Sequence, residues 1–96
     1  MEKIKTKHGE FDLKPLSFKD RRTLHRMEID AANIDGDKMD FGKYVEMIDW
    51  IIMKTIVNAE ITLKDYDDNE IDEIGAEIYT QIKNTNKKKR LFISTT

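Results

Sequence analysis

The chain of 96 residues contains no cysteine, which excludes disulfide scaffolds, thiolate metal sites and cysteine nucleophiles. Its four glycines are scattered, so it has no glycine-rich loop of the kind that binds phosphates. The longest apolar run covers only 50–53, far short of the ~20 residues that span a bilayer. The first five residues also lack the apolar stretch of a signal peptide. Together these absences predict a cytoplasmic protein.

Charge of one sign is also lacking, because 17 basic and 19 acidic residues nearly cancel to a net charge of −2. Such a balance gives no electrostatic reason to expect nucleic acid or an anionic membrane as the main partner. A domain of this size buries roughly 60–65% of its unfolded surface, so its core is modest. A small core favours a protein that oligomerises or binds another protein.

The N-terminal residues predict a β-hairpin. Apolar and polar side chains alternate over residues 2–13, on both sides of a turn at His8 and Gly9. Pro15 ends the second strand because it has no N–H to donate. Two strands alone are marginal in water, so the hairpin is expected to pack on the rest of the chain.

Three helices are predicted after the hairpin, over 18–32, 41–60 and 68–84. Ser17 and Asp40 are the expected N-caps of the first two, and turn-forming residues at 33–37 end the first. The second helix is expected to be the core helix, through one apolar arc: Phe41, Tyr44, Val45, Ile48, Ile51, Ile52, Ile56 and Ala59. The third has a narrow stripe of isoleucines and an opposite acidic face: Glu70, Glu73 and Glu77. The predicted class is α+β and mostly helical.

The sequence contains no recognisable catalytic or metal-binding pattern. The acidic segments 30–40 and 65–73 fail the EF-hand pattern, which needs glycine at position 6 and a bidentate glutamate at position 12. His8 and His25 have no second ligand at metal spacing in the sequence, and both are expected to be surface histidines. No serine has an adjacent base that would activate it. We therefore expect a protein that is not an enzyme and needs no cofactor or metal.

Apolar residues also occur on the side of the second helix that faces away from the predicted core. Trp50, Met53 and Val57 cluster there, and Met47 is grouped with them as a candidate partner contact. One interpretation is that the helix is buried on both sides between its neighbours. The other is an exposed binding site, because tryptophan is enriched in binding hot spots and methionine suits adaptable surfaces. The sequence leaves both open, and the second permits either self-association or binding of a partner helix.

The C-terminal residues differ in composition from the rest. We predict one domain over 1–86 and a basic, flexible tail over 87–96, in which lysines and an arginine at 87–90 precede a short apolar stretch. Four basic residues in an acidic chain supply little charge for binding phosphate, so a solvated tail is favoured over a nucleic-acid contact.

The order of these features resembles a known family. A lysine-rich strand leads into the sequence HGEFDLKPLSFKDRR at 8–22, followed by a helix, an acidic turn and an amphipathic helix that contains Trp50. This resembles the small tail assembly chaperones of long-tailed, siphovirus-like bacteriophages, which often have a Lys-Pro-Leu segment before a helix that begins Phe/Tyr-Lys-Asp-Arg. The resemblance covers most of the chain in organisation, but only residues 9–22 in recognisable sequence.

The resemblance implies a specific role. Such chaperones coat the helical tape measure protein, keep it soluble, help to recruit tail tube subunits and are usually absent from the finished particle. An amphipathic helix with an aromatic anchor suits this task, because tape measure helices expose apolar stripes. Family members are often made in two forms by ribosomal frameshifting. Because lysine codons are rich in adenine, 87–89 are a candidate for the slippage site.

Three alternatives remain open. The protein could be a structural virion component, such as a connector or tail-completion protein. It could be a small phage inhibitor of a host protein whose acidic third helix mimics nucleic acid, although its alternating charges argue against a dense single-sign surface. The third alternative, an unrecognised enzyme, lacks any nucleophile, metal or phosphate motif in its support.

Overall fold

The computed structural model describes the backbone of residues 2–32 and 40–95, and the side chains of residues 2–32 and 40–84. Over these residues the elements are strands β1 (Glu2–Thr6) and β2 (Gly9–Leu13) and helices α1 (Phe18–Ala32), α2 (Phe41–Thr55), α3 (Ala59–Thr62) and α4 (Asp68–Thr95). An antiparallel hairpin is followed by three long helices and one short one. The predicted α+β, mostly helical fold is confirmed.

The hairpin pairs with the end of α2 and with the residues that directly follow it. Its two strands pair antiparallel with Ile4 opposite Phe11, and β2 also forms a bridge between Leu13 and Ile56. The N–H of Lys14 donates to the Thr55 carbonyl oxygen at 2.7 Å. These contacts supply the support that two isolated strands need in water.

The N-caps of α1 and α2 are those that the sequence predicts. The N–H of Asp20 donates to Ser17 Oγ at 3.0 Å, and the N–H of Lys43 donates to Asp40 Oδ1 at 3.1 Å. Each bond satisfies one of the donors that the first turn of a helix leaves without a partner. The turn predicted at 33–37 lies outside the described residues.

The second helix ends earlier than predicted. α2 stops at Thr55 instead of continuing to residue 60, and Ile56 is extended, with φ −75° and ψ 127°. Asn58 then takes the left-handed conformation, with φ 53°, before the short α3 begins. The prediction of one helix over 41–60 is therefore wrong at its end. The apolar periodicity of the sequence continues beyond Thr55, but pairing with β2 holds the backbone of Ile56 extended.

The third predicted helix begins as expected and runs further. A capping box opens α4, since the N–H of Glu70 donates to Asp67 Oδ1 at 2.8 Å and that of Asp67 donates to Glu70 Oε1 at 3.0 Å. The helix continues to Thr95 instead of ending near 84, and the basic run at 87–90 lies within it. At 1.5 Å per residue its 28 residues extend about 42 Å.

The core lies between the hairpin and the helices α1, α2 and α4. It comprises Ile4, Phe11, Leu13, Leu24, Met47, Ile48, Ile51, Ile52, Ile56, Ala59, Leu63, Ile74 and Ile78. The predicted arc of α2 is partly corrected, because Phe41 at its first turn is 71% exposed while Met47 is buried. Tyr79 Oη links α4 to α1 by donating to Glu28 Oε2 at 2.5 Å. No helix within the described ranges is long and apolar enough to cross a membrane.

Candidate functional site

The outer face of α2, defined here by Trp50 and Met53 and continued by Val57 in the turn that follows, is the candidate site. The buried residues of this helix occupy one arc: Met47, Ile48, Ile51, Ile52 and Thr55. At 100° per residue, Met53 points almost directly away from that arc and Trp50 lies at its border. The helix therefore places an aromatic and a flexible apolar side chain on the same outward side.

Trp50 is partly buried, with its indole packed against the core. Lys54 lies over the ring, its Nζ 5.9 Å from the centroid, and the same Nζ lies 3.8 Å from Asp20 Oδ1 at the start of α1. A cation at this distance from an indole is attracted by the electrons of the ring. The indole is thus held by the core on one side and a lysine on the other, while part of it remains exposed.

Met53 and Val57 extend this surface towards the end of the helix. Met53 is 54% exposed, and its unbranched thioether can adapt to differently shaped partners. Val57 is partly exposed, and its N–H donates to the Asp12 carbonyl oxygen at 3.1 Å. The hairpin therefore fixes the backbone at the far end of the outer face of α2.

Met47 does not belong to this surface. The sequence grouped it with Trp50, Met53 and Val57 as a candidate contact, but only 2% of the residue is exposed. It lies six residues before Met53, and at 100° per residue six steps turn the side chain by about 240° around the helix. The expectation that Met47 is available for a partner is corrected, because it packs in the core.

Further exposed apolar residues lie on the segments adjoining α2, namely Phe18 and Ile29 on α1 and Ile61 on α3. Phe18, the first residue of α1, is 72% exposed and has the Arg21 guanidinium 5.9 Å from its ring centroid. Ile61 on α3 is 70% exposed. Sequence reasoning did not select any of them. The sequence did carry a signal for Phe18. It directly follows the Ser17 cap, so its side chain precedes the buried stripe of α1.

The hairpin turn forms a second cluster of functional groups with α4. His8 Nε2 lies 3.3 Å from Glu73 Oε1 and His8 Nδ1 lies 3.7 Å from Glu70 Oε2. Tyr66 Oη donates to the His8 carbonyl oxygen at 2.9 Å, and Lys7 forms an ion pair with Glu73. His8 is therefore a partly buried residue between two carboxylates, which corrects the expectation of a surface histidine.

The same contacts correct the expected role of the acidic face of α4. A hydrogen bond from Lys7, together with the charges of Lys7 and His8, lowers the pKa of Glu73, and Glu73 in turn raises the pKa of Lys7. Glu77 accepts the backbone N–H of Lys7 at 3.4 Å. The glutamates hold the hairpin turn and do not simply face solvent. Chemically the cluster is a set of ion pairs, and the described residues contain no group of three or more side chains arranged to hold a metal.

A further electrostatic feature lies behind the outer face of α2. Burial, reinforced by the negative charges of Asp72 and Asp68 on α4, raises the pKa of Asp49. Asp49 lies one helical turn before Met53, so this acidic group borders the candidate surface. A partner that places a cation beside Asp49 would relieve the repulsion among the three carboxylates.

No family model, no curated protein and no solved structure matches this chain. Membership of the tail assembly chaperones therefore stays a prediction from the sequence at 9–22.

Proposed function

We propose that this chain is a non-enzymatic tail assembly chaperone of long-tailed bacteriophages, which acts in the host cytoplasm. In this role it binds the tape measure protein and helps to recruit tail tube subunits around it. The observation that supports the proposal best is the outer face of α2, where Met53 is 54% exposed beside a partly exposed Trp50. The resemblance of residues 8–22 to the tail assembly chaperones implies which class of protein is the partner.

The outer face of α2 has the properties of a helix-binding surface. Trp50 offers a large rigid contact area and is already held in place by the core and by Lys54, so little side-chain entropy is lost on binding. Met53 adapts to partners of different shape. A tape measure helix that exposes apolar side chains at i, i+3 and i+7 would bury them against these residues. Such a contact keeps the long helix from aggregating before the tube forms.

The test is co-expression with the tape measure protein encoded in the same phage genome. We expect the chain to raise the soluble fraction of the tape measure protein and to co-purify with it. Met53→Glu is expected to abolish both effects, because it puts a charge into the apolar contact. The matched control is Phe41→Glu, which makes the same chemical change on the same helix at a residue that is 71% exposed but lies outside the outer face of α2.

The outcomes separate the proposal from its alternatives. Equal recovery with Met53→Glu and Phe41→Glu would remove the outer face of α2 as the binding surface. Mass spectrometry of purified phage particles is the second measurement, because a chaperone is absent from them and a connector or tail-completion protein is present. A genome without a long coiled-coil-rich reading frame near this gene would leave the tape measure role without a partner.

A further inference from the structure

The two edges of the hairpin differ. The outer edge of β2 is covered, because the N–H of Val57 donates to the Asp12 carbonyl oxygen at 3.1 Å and the N–H of Lys14 donates to the Thr55 carbonyl oxygen at 2.7 Å. The outer edge of β1 has no strand beside it in the part of the chain that the structure describes. An open strand edge is a template for pairing with another chain.

The residues that point their backbone groups to this open edge follow from the strand register. Asp12 gives its carbonyl to Val57, so its backbone groups point away from β1. Lys3 lies opposite Asp12. In an antiparallel strand pair, when one residue directs its N–H and carbonyl away from the partner strand, the residue opposite it does the same. The same alternation gives Lys5 an outward N–H and carbonyl, while Ile4 bonds inward to Phe11.

An open groove of about 640 Å³ runs beside this edge. Its β-strand wall is formed by Ile4 and Lys5 and includes no residue of β2, which places the groove at the outer edge of β1. Its other wall is α4, with small or polar residues: Ala76, Glu77, Thr80, Gln81 and Asn84. Ala76 and Thr80 are the short side chains of that wall and leave room for a polypeptide backbone to approach β1. The acidic residue of the wall, Glu77, accepts the backbone N–H of Lys7 at the hairpin turn.

Charge indicates what the edge accepts. Lys3 and Lys5 are exposed on the face of the hairpin opposite to that of Ile4, and neither is in an ion pair among the described residues. Their neighbours on the paired edge are acidic, because Asp12 lies opposite Lys3 and Glu10 opposite Lys5. The inner edge of β1 thus already pairs with a segment in which an apolar residue, Phe11, stands between two acidic ones.

We propose that the outer edge of β1 binds an extended segment of a partner protein that has acidic side chains at alternate positions and an apolar residue between them. The segment adds as a third strand, with its acidic side chains beside Lys3 and Lys5 and its apolar side chain turned towards Ile4 and the groove. Backbone hydrogen bonds supply the affinity, and the alternating side chains supply the specificity. This site is separate from the outer face of α2.

A second copy of the chain is a poorer occupant. If two β1 strands paired antiparallel around a two-fold axis at Ile4, Lys3 of one copy would lie directly opposite Lys5 of the other. Like charges directly opposite each other destabilise a strand pair. The acidic segment has no such penalty.

The probe is a synthetic seven-residue peptide with alternating glutamate and valine, added to the full chain. Hydrogen exchange measured by NMR reports the site directly, because the amides of Lys3 and Lys5 have no hydrogen-bond partner among the residues that the structure describes, and that of Ile4 is bonded within the hairpin. We expect the peptide to slow exchange at Lys3 and Lys5 at least tenfold, and to leave Ile4 little changed. A peptide with lysine in place of each glutamate is expected to give no protection.

Two matched pairs of variants isolate the backbone contact. N-methylation at the glutamates blocks the N–H groups that face β1 and is expected to weaken binding at least tenfold, which is about 1.4 kcal/mol. N-methylation at the valines, whose N–H groups face away, is expected to have little effect. On the protein, Lys5→Pro removes an outward N–H at a position where an edge strand tolerates proline, and Lys5→Gln removes the charge but keeps the N–H. Proline is expected to abolish binding and glutamine to weaken it only a few-fold.

Three outcomes would overturn the proposal. The first is equal binding of the two N-methylated peptides, a measurement that does not depend on whether Lys5→Pro folds. The second is protection of Lys3 and Lys5 that rises with protein concentration in the absence of peptide, which would assign the edge to a second copy. The third is unchanged exchange at both residues with saturating peptide.

Discussion

The Cα of Gly75 on α4 lies so close to the side chain of Ile48 on α2 that a methyl group at position 75 would overlap Ile48 Cγ2. The same methyl group would lie 2.9 Å from Ile52 Cδ1. Both isoleucines are buried in the core, so neither side chain can move into solvent to make room. The absence of a side chain at Gly75 therefore sets the distance between the two helices that build the core.

We predict that Gly75→Ala lowers the free energy of unfolding by about 1–3 kcal/mol, the usual range for overpacking a core. Urea denaturation measures it. The control is Gly42→Ala, where the nearest described atom to the new Cβ is Asp40 Oδ1, at 3.5 Å, and where alanine is the better helix former. Opposite signs for the two variants are expected; a stabilising Gly75→Ala would contradict the close packing of α2 and α4.

The left-handed backbone of Asn58 gives a second prediction. Asn58 has φ 53° and its side chain makes no capping hydrogen bond, so replacing it removes no contact of that kind. Asn58→Ala is expected to cost about 1 kcal/mol, because asparagine adopts the left-handed conformation more readily than alanine does. Asn58→Gly is expected to be as stable as the wild type or more so. Thermal unfolding of the pair distinguishes backbone strain from a lost contact, since a contact would make both variants less stable.

Asp49 gives a prediction about pH. Burial, and then the charges of Asp72 and Asp68, raises its pKa above the ordinary 3.8. Folding therefore disfavours the ionised carboxylate, so the penalty is absent below about pH 3.8 and grows as the pH rises through the folded pKa. Asp49→Asn is expected to be more stable than the wild type at pH 7 and similar to it at pH 3. Glu46→Gln, at an exposed position on the same helix, is the control and should show no such gain.

Glu73 is expected to behave in the opposite way. The hydrogen bond from Lys7, and the charges of Lys7 and His8, lower its pKa below the ordinary 4.5. Its contribution to stability is therefore present above about pH 4.5 and is lost as the pH falls through the folded pKa. Glu73→Gln should reduce stability at pH 6 and have little effect at pH 2.5, as measured by urea denaturation at each pH. Because the pair is exposed, the effect is expected to be small, and Glu60→Gln on α3 serves as the exposed control.

Features that depend on residues close together in the sequence were predicted correctly. Ser17 and Asp40 were predicted as N-caps because a cap bonds to an N–H only three residues away. The hairpin followed from alternation around His8 and Gly9. The central position of the second helix followed from its apolar period.

Contacts between distant residues were not readable in the same way. Periodicity carried the second helix past Thr55, because the pairing of Ile56 with Leu13 leaves no mark on the sequence around residue 56. His8 and Glu73 are 65 residues apart, so no spacing rule could bring them together. Met47 was grouped with Trp50 as a candidate contact, although the fold puts its side chain in the core.

By itself the sequence determined the hairpin, the starts of the three long helices, the caps at Ser17 and Asp40, the position of the core helix and an apolar pair at Trp50 and Met53, because these depend on neighbours along the chain. Tertiary structure alone decided that Trp50 stays partly exposed, that His8 lies between two glutamates and that no strand of the described chain pairs with the outer edge of β1. Each of these depends on which distant surface arrives to cover a residue. A sequence pattern indicates to which side of its helix or strand a side chain points, but not which residues it will contact.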